Sequence, residues 1–402
     1  MRKHTANDPM RRLREVLGGF FEPAAPVVAR LASFARHEPV LSIAAVLAAA
    51  SFVLNPPTAA ASSLMQYASF IDIDVLVLLF CLMACVAGLQ KAGVFTVLAR
   101  RMLNGHRTLR FASVALVALA FFSSMFVTND VALITFVPFA VMLLAAAGED
   151  RHLPLVVVLQ TVAANLGSMV TPFGNPQNLF LYSHYGLGLA EFFGVMAPFA
   201  IASCAGVGVW AACVPHRRME VSLPLDPSPL NVRLALPFAL LFAVSLAAVV
   251  HVLPVWLCLP AVVVATAVLS RDVLRSVDWG LLATFACFFL FVGNLGSVAG
   301  VRDALESLMA VSPFAVSLLA SQVISNVPAA VLLAPFTDSW QGLLLGVDIG
   351  GLGTPVASLA SLIALRLYAH APHADMRRFM GLFFLVNLVF LAGNCALCAL
   401  IA

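Results

Sequence analysis

Charged residues are scarce in this sequence. Asp, Glu, Lys and Arg make up 10% of the 402 residues, whereas soluble domains carry about 25%. Hydrophobic residues reach 62% instead, and many apolar runs attain the ~17–25 residues that a membrane-spanning helix needs. This composition excludes an ordinary soluble domain and predicts an all-α polytopic membrane protein surrounded by the lipid bilayer. The net charge of +3 identifies no partner, and we expect no nucleic acid.

The sequence also lacks the patterns of an enzyme or a resident metal. No catalytic triad, phosphate loop or metal-ligand spacing stands out, so we expect no enzymatic activity and no cofactor. Cys395 and Cys398 have the spacing of a redox motif, but they lie in an apolar run without other ligands. We interpret them as packing residues. No apolar core with a small-residue cleavage site follows the basic start of the chain, which argues against a signal peptide.

One pattern occurs twice along the chain. Each copy places a hydroxyl residue and Asn inside one apolar run, then a Gly, Thr and Pro break inside the next. The tips read Thr128-Asn129-Asp130 and Ser325-Asn326-Val327, and the breaks run from Asn165 to Pro172 and from Asp348 to Pro355. Asn129 and Asn326 are 197 positions apart, whereas Thr171 and Thr354 are 183 apart. A longer link in the first copy, through residues 148–152, accounts for the difference.

Breaks of this kind have a specific physical meaning in a membrane. Backbone in hydrocarbon must satisfy its own hydrogen bonds, so a break is tolerated only where it is buried in protein or lines a cavity. Interruptions at matched points in two halves point to a binding site near the midplane. The alternative is that Gly and Pro merely kink packed helices, since both are common in membrane helices. Four breaks in register, each beside Asn, Ser, Thr or Asp, favour the binding site.

We divide the chain accordingly into two repeats and a linker. Residues 1–38 form a cytoplasmic basic segment, either an amphipathic helix around 10–21 or a disordered tail. The first repeat is 39–214, with an uncharged loop before Ser69, a hairpin tip at 128–130 and a broken helix at 153–185. A cytoplasmic linker and an unpaired span occupy 215–254. The second repeat is 255–402, with its tip at 325–327 and its broken helix at 343–368. This gives about nine spanning helices, two re-entrant helical hairpins and two broken helices.

The positions of the basic residues support this path. With the amino terminus in the cytoplasm and each hairpin returning to its own side, every one of the 22 Lys and Arg residues except Arg302 lies at or near the cytoplasmic face. Such a bias is typical of a plasma membrane protein, here the bacterial inner membrane. The unpaired span Leu234–Val250 inverts the second copy, so the path predicts an inverted-repeat transporter.

The residue types at the tips and breaks suit ions. A helix amino terminus carries about +0.5 charge and free N–H groups, which suit an anion, whereas carbonyl and side-chain oxygens at a carboxyl terminus suit Na⁺ or H⁺. The predicted substrate ligands are Thr128, Asn129, Asn175, Gln177, Asn178, Ser325, Asn326 and Thr354. The predicted coupling residues are Asp130, Asn165, Gly167, Thr171, Asp348 and Gly350, with Na⁺ near Asn129 and Asn326.

Two carboxylates carry most of the coupling prediction. Asp130 belongs to the first tip, and Asp348 stands in the second break where the first has Asn165. An ionisable group at membrane depth is a functional candidate, because its burial costs several kcal/mol unless it is paired or protonated. Each would bind Na⁺ as a carboxylate or carry H⁺. The alternative is that both merely cap neighbouring helix ends.

These residues resemble the ion transporter superfamily, which comprises citrate-transporter-like permeases, arsenite permeases, Na⁺/H⁺ antiporters of the same fold and divalent-anion:Na⁺ symporters. The resemblance is carried by Thr128 to Leu133, Gly174 to Asn178 and Ser321 to Pro328, and it extends from Asp74 to the carboxyl end. It implies re-entrant hairpins, cation sites beside each tip, an anionic substrate between them, a homodimer and elevator-type movement. The symporter branch has Ser-Asn-Thr at both tips, so the third hydroxyl is missing twice here, and Asp130 favours proton coupling.

We therefore expect a cation-coupled (H⁺ or Na⁺) secondary active transporter of a small anion, such as a carboxylate. The alternatives of the same fold are a Na⁺/H⁺ antiporter and an arsenite or metalloid efflux permease. An intramembrane enzyme would need a nucleophile with its base, or a metal cluster, at membrane depth. A channel would conduct without saturation or coupling stoichiometry.

Overall fold

The computed structural model describes residues 38–53, 56, 61–103, 105–221 and 230–401. The predicted basic segment 1–38 therefore lies outside the described residues except for Glu38, as does much of the linker. The first half contains α1 (Pro39–Ser51), α2 (Ala61–Phe70), α3 (Ile73–Lys91), α4 (Val94–Leu103), α5 (Leu109–Val127), α6 (Asn129–Ala146), α7 (Leu153–Ser168), α8 (Pro176–His184) and α9 (Leu189–Ala212).

The remaining helices complete an all-α architecture. They are α10 (Val232–Val249), α11 (Val255–Leu269), α12 (Asp272–Arg275), α13 (Trp279–Gly296), α14 (Ala299–Val311), α15 (Pro313–Ile324), α16 (Asn326–Leu333), α17 (Trp340–Gly350), α18 (Leu359–Ala369) and α19 (Met376–Ile401). A short antiparallel ribbon pairs β1 (Gly105–Thr108) with β2 (Arg218–Val221), with Gly105 opposite Val221. The ribbon joins the loop after α4 to the linker between the halves.

The order of elements in the first half recurs in the second. Helices α1 to α9 correspond to α11 to α19, and α10 has no counterpart among the described elements. The most extensive helix contacts are α5 with α7 and, at the corresponding place, α15 with α17. Helices of the two halves also pack against each other: α1 of the first half contacts α13 of the second, and α11 of the second half contacts α3 of the first. This is the order that the two-copy prediction requires, and the membrane orientation of each half stays a prediction.

Seven helices of the described part of the chain are long and apolar enough to cross a membrane, or eight if the bent pair α14 and α15 forms one span. These helices and the composition make the protein an integral membrane protein. The count differs from the predicted nine for a physical reason: a broken helix offers no single helix of spanning length, and α1 and α11 are short. Helices α5 and α6, at 19 and 18 residues, are each long enough to cross by themselves.

The core lies around α7. Every residue of this helix except Leu155 is buried, as expected of a helix that is apolar on all faces and enclosed by others. Helices α5, α6, α9, α18 and α19 all pack against it. The break after Ser168 therefore occurs in the best-enclosed part of the molecule.

Two local expectations need correction. The predicted uncharged loop before Ser69 contains a helix, α2, whose Tyr67 packs edge-on against Phe52 and Phe70. The second broken helix begins at Trp340, three residues before its predicted start. The ribbon of β1 and β2 was not expected, because neither segment alternates apolar and polar residues over a length that indicates a strand.

Candidate functional site

Both hairpin tips adopt the same unusual backbone conformation. Thr128 has φ 73° and ψ 151°, and Ser325 has φ 75° and ψ 154°. This region is essentially confined to glycine, and a side chain there costs about 1–3 kcal/mol. The following Asn closes each tip: the Asn129 Oδ1 atom accepts from the Asp130 N–H at 3.0 Å, and the Asn326 Oδ1 atom accepts from the Val327 N–H at 2.9 Å. Strain of this kind clusters at functional sites.

Amide side chains hold the unwound backbone at the first break. Helix α7 ends at Ser168, and α8 begins at Pro176 with Asn175 as its N-cap, whose Oδ1 atom accepts from the Asn178 N–H at 2.8 Å. The Asn178 Nδ2 atom donates to the carbonyls of Met169 and Thr171, each at 3.3 Å. These bonds satisfy carbonyls that the break removes from the helix.

The Gln322 side chain holds the unwound backbone at the second break. Its Nε2 atom donates to the carbonyls of Gly350 and Leu352 at 2.6 and 2.9 Å, and its Oε1 atom accepts from the Thr354 N–H at 3.0 Å. The side chain belongs to α15, so it ties the hairpin to the break. Glycine is required beside it, because a Cβ atom at Gly353 (φ 110°) would collide with the Gln322 amide.

A threonine of each break anchors it to the hairpin. The Thr171 Oγ1 atom donates to the Met125 carbonyl at 2.5 Å, and the Thr354 Oγ1 atom donates to the Gln322 carbonyl at 3.1 Å. The two acceptors are 197 positions apart and the two threonines 183 apart, the same offsets that relate the tips and breaks. The same tertiary contact is therefore built in both halves.

Gly167 and Gly350 allow the broken helices to approach the hairpins closely. A Cβ atom at Gly167 would collide with the Phe121 carbonyl and lie 2.5 Å from the Ser124 Oγ atom. At Gly350 it would lie 2.8 Å from the Ser321 Cβ atom. Both glycines thus pack against a serine of the preceding hairpin, and their predicted part in coupling stays a prediction.

The two breaks also contact each other. The Asp348 Oδ1 atom accepts from the Asn175 Nδ2 and Gln177 Nε2 atoms, both at 3.2 Å. In the opposite direction, the Asn165 Oδ1 atom accepts from the Ser358 Oγ atom at 3.0 Å. Asn165 and Asp348 are 183 positions apart, and so are Asn175 and Ser358. The N-cap residue of each second half-helix therefore contacts the end of the first half-helix in the other repeat.

A cavity of about 110 Å³, here called the tip cavity, lies between the two tips. Its polar lining includes Asn129, Asp130, Gln177, Thr284, Ser325, Asn326 and Ser358. A neighbouring side cavity of about 390 Å³ shares Asp130 and Pro176 with it and adds Thr128, Asn175 and apolar side chains of α3 and α6. Polar groups from both halves thus converge on one enclosed region, the usual form of a small-molecule site.

Charged side chains surround this region unevenly. Glu38 and Asp278 line both cavities and Arg366 lines the tip cavity; all three are exposed. Asp130 is half-buried, and its Oδ1 atom has no hydrogen-bond partner. Asp348 is buried, and its Oδ2 atom has none either. Neither carboxyl accepts from a backbone N–H among the described residues, so their contacts give no support to the capping alternative.

The predicted ligands divide into two groups in the structure. Six line the cavities, namely Thr128, Asn129, Asn175, Gln177, Ser325 and Asn326. Asn178 and Thr354 hold the broken backbone instead. Sequence reasoning missed Glu38, Asp278, Ser358 and Arg366 as lining residues, and only the 183-residue offset from Asn175 to Ser358 could have identified one of them. In the described ranges no group of three or more His, Cys, Asp or Glu side chains could hold a metal ion.

Beyond the site, an exposed ion pair joins two helices. The Lys91 Nζ atom donates to the Asp272 Oδ2 atom at 2.6 Å, joining the end of α3 to α12. Hydrogen bonding and attraction by the Lys91 ammonium lower the pKa of the Asp272 carboxyl from its ordinary value.

Known proteins with similar sequences are transporters and membrane proteins. A family model described as citrate transporter matches residues 29–341. An inner membrane protein of Escherichia coli, YbiR, is 34% identical over 304 residues, covering 74% of this chain and 80% of that protein. An uncharacterized transporter of Methanocaldococcus jannaschii, MJ0456, is 31% identical over 63% of this chain and 70% of its own length. The silicon efflux transporter LSI3 of Oryza sativa is 36% identical over 148 residues, or 28% of its length.

Proposed function

The chain belongs to the citrate transporter family, and from this premise we propose that it is a cation-coupled secondary active transporter of a small anion. Family membership makes it a transmembrane transport protein of the ion transporter superfamily, rather than an enzyme. The proposal adds the coupling cation, Na⁺ or H⁺, the anionic substrate, with carboxylates as the first class to test, and alternating access of the elevator type. We also propose that the protein is a homodimer in the bacterial inner membrane, with its amino terminus in the cytoplasm.

The observation that carries this proposal is the tip cavity. Helices α6 and α16 both begin at this cavity, so their amino termini bring partial positive charge and N–H groups to it. The amides of Asn129, Gln177 and Asn326 add donors, because an NH₂ group has two N–H bonds and those of Asn129 and Gln177 each use one of them within the protein. Hydrogen-bond donors from two half-helices, enclosed by apolar walls, suit a small anion better than a cation alone.

The two orphaned carboxyl oxygens support cation coupling. A buried carboxylate that lacks partners costs several kcal/mol, and binding of H⁺ or Na⁺ removes that cost. Asp130 lines both cavities, and Asp348 is linked to them through Asn175 and Gln177. A cation that neutralises these groups would therefore change the walls of the substrate site, which is the physical requirement for coupled transport.

The packing of the helices supports an elevator. The hairpins and broken helices form one set of close contacts, α5 with α7 and α15 with α17. A second set joins α3 with α10 and α11, and α1 with α13. The tip cavity lies where the first set meets α1 and α13. We propose that the first set moves against the second and carries the substrate.

Uptake into proteoliposomes tests the proposal. Purified protein is reconstituted, and entry of labelled citrate, malate, phosphate and sulfate is measured under an imposed Na⁺ gradient or pH gradient, with the Asp130→Asn variant beside the wild type. We expect saturable, gradient-driven uptake of one of these anions, and loss or alteration of the gradient dependence in the variant. Absence of solute uptake under both gradients would overturn the proposal. Dissipation of the pH gradient by Na⁺ alone would identify a Na⁺/H⁺ antiporter instead.

A second candidate is proton-driven efflux of an uncharged metalloid acid. Three carboxyl groups, from Glu38, Asp130 and Asp278, line the cavities, against the single guanidinium of Arg366. Such a lining repels a multiply charged anion, whereas hydroxyl groups of a neutral acid bond to amides and carboxylates. The likeness to LSI3, a silicon efflux transporter, points the same way. Loss of silicic acid or arsenite from loaded vesicles, driven by an inward proton gradient, would establish this candidate.

A further inference from the structure

Asn165 and Asp348 occupy equivalent positions in the two repeats, but their surroundings differ. The Asn165 Oδ1 atom accepts from the Asn129 Nδ2 and Ser358 Oγ atoms, each at 3.0 Å, and its Nδ2 atom faces the Gly351 carbonyl at 3.5 Å. The first tip is thereby bonded to its own break, and both polar atoms of the Asn165 amide are engaged. Asn165 has no oxygen atom free to bind a cation. Its Oδ1 atom already accepts two hydrogen bonds, and its other polar group is an NH₂, which only donates.

Only one of the two carboxyl oxygens of Asp348 accepts hydrogen bonds. Both of its bonds, from Asn175 and Gln177, go to the Oδ1 atom, while the Oδ2 atom is buried and without a partner. The residue is 4% exposed. The second tip bonds elsewhere: the Asn326 N–H and the Ser325 Oγ atom donate to the Ala357 carbonyl, at 3.0 and 3.3 Å. Buried polar atoms are nearly always bonded, so this carboxyl oxygen is the acceptor that a bound cation would satisfy.

No charged partner neutralises Asp348 among the described residues. Helices α7, α15 and α16, which pack against α17, carry no Asp, Glu, His, Lys or Arg. The other packed helices contribute Tyr182 and His184 at the end of α8, and Arg377, Arg378, Cys395 and Cys398 on α19, none of which bonds to Asp348. The only groups bonded to this carboxyl are neutral amides, so a bound monovalent cation is the remaining means of neutralising it.

We infer that only one of the two breaks, the second, binds a coupling cation, H⁺ or Na⁺, on the Asp348 carboxyl, and that the Asn165 amide closes the equivalent position of the first break. This inference rests on the proposed function, which requires a coupling cation but does not say how many sites hold one. It assigns different roles to two residues that the internal repeat makes equivalent. It also separates Asp348 from Asp130, which faces the substrate cavities.

Asn175 and Gln177 transmit the state of Asp348 to the substrate. Asn175 lines the side cavity and Gln177 lines the tip cavity, and both donate to the same carboxyl oxygen. Hydrogen bonds to an ionised carboxylate are about twice as strong as those between neutral groups. Neutralisation of Asp348 therefore weakens the hold on both amides and frees them to donate to the substrate.

Cation binding can be measured without knowing the substrate. The melting temperature of the purified protein is followed in sodium chloride and in choline chloride, and separately across a pH series, for four proteins. These are the wild type, Asp348→Asn, Asn165→Asp and the matched control Asp272→Asn. The control makes the same chemical change at an exposed carboxylate that pairs with Lys91, so it reports any general effect of losing one Asp. Asn165→Asp gives a second readout in a chain that retains Asp348.

The expected result is a stepwise series. Above its dissociation constant, each bound cation multiplies the folding equilibrium constant about tenfold for a tenfold rise in cation concentration. Asp272→Asn should keep the wild-type dependence, Asp348→Asn should lose one such factor of about ten, and Asn165→Asp should gain one. In the last variant, the new carboxylate oxygen would replace the amide that faces the Gly351 carbonyl, which creates a second cation site.

Two results would overturn the inference. Wild-type cation dependence in Asp348→Asn would show that the cation binds elsewhere. Wild-type cation dependence in Asn165→Asp would show that the amide is not what closes the first break. Failure of the proposed function is a separate result: a wild type that binds a cation by this assay, yet takes up no labelled anion under a cation gradient, refutes the transport proposal and leaves the site standing.

Discussion

Gln322 offers the sharpest test of how the second break is held. Its side chain satisfies the carbonyls of Gly350 and Leu352 and the N–H of Thr354. In Gln322→Met, a side chain of similar length fills the space but can neither donate nor accept these bonds. The substitution therefore removes three hydrogen bonds while it changes little in volume.

The expected loss of stability follows from these three bonds. A net hydrogen bond contributes about 1 kcal/mol, and a buried group left unsatisfied costs about 1–3 kcal/mol. Because Gln322 is half-buried, we take the lower value for each group and expect about 3 kcal/mol in total. That is about a hundredfold in the folding equilibrium constant, and it should lower the melting temperature by about 5 °C or more.

Native cysteines provide the assay. Cys81, Cys85 and Cys258 are buried, so a thiol-reactive dye added to the detergent-solubilised protein reports unfolding as they become accessible. Gln66→Met serves as the control, because Gln66 is exposed and the bond that it accepts, from the Ser69 Oγ atom at 2.7 Å, goes to its backbone carbonyl and is kept in the variant. We expect Gln322→Met to melt early and to lose uptake, with Gln66→Met unchanged in both. A variant that melts and transports like the wild type would refute the idea that this side chain holds the break.

Two further predictions concern the glycines and the strained tips. Gly167→Ala should destabilise the protein by about 1–3 kcal/mol, since the new methyl group meets a backbone carbonyl that cannot move away. The control is Gly208→Ala, because a Cβ atom added at this helical glycine would have no neighbour within 4 Å. It should be neutral or stabilising by the same melting assay. Thr128→Gly should raise stability by about 1 kcal/mol, because relief of strain exceeds the entropy cost of glycine. Ser325→Gly should gain less, because it also loses the bond from the Ser325 Oγ atom to the Ala357 carbonyl. Uptake should fall in both as the tips lose their fixed shape. An unchanged or lowered melting temperature in both tip variants would contradict the strain argument.

The interruptions of the helices around the candidate site were predictable from local chemistry. Thr128 and Ser325, each followed by Asn in an apolar run, predicted the tips, and the Gly, Thr and Pro breaks predicted where α7 and α17 end. These signals are local: a polar residue or Pro inside a hydrophobic run changes the backbone at that point. Residues related by the constant offset between the copies have equivalent neighbours in the structure, as Thr171 and Thr354 do.

The remaining features depend on contacts between distant residues. No local pattern indicates that Gln177 bonds to Asp348, 171 positions away, or that Glu38 and Asp278 line the same cavities. Helix α2 follows a Pro-rich segment that reads as a loop, and its stability comes from Tyr67 packing on Phe52 rather than from propensity. The three bonds from Gln322 to the backbone of the second break follow only from the approach of α15 to α17.

The equivalence of Asn165 and Asp348 also bears on the history of the molecule. If one ancestral unit was copied within a single gene, each copy initially supplied the same residue at this position, and a change in one copy left the other to preserve the architecture. The effect of a substitution in one half can therefore be interpreted by comparison with the equivalent position in the other half. Exchanging the two side chains, Asn165→Asp with Asp348→Asn, would then move the acid from the second copy to the first, where its neighbours are Asn129, Ser358 and Gly351.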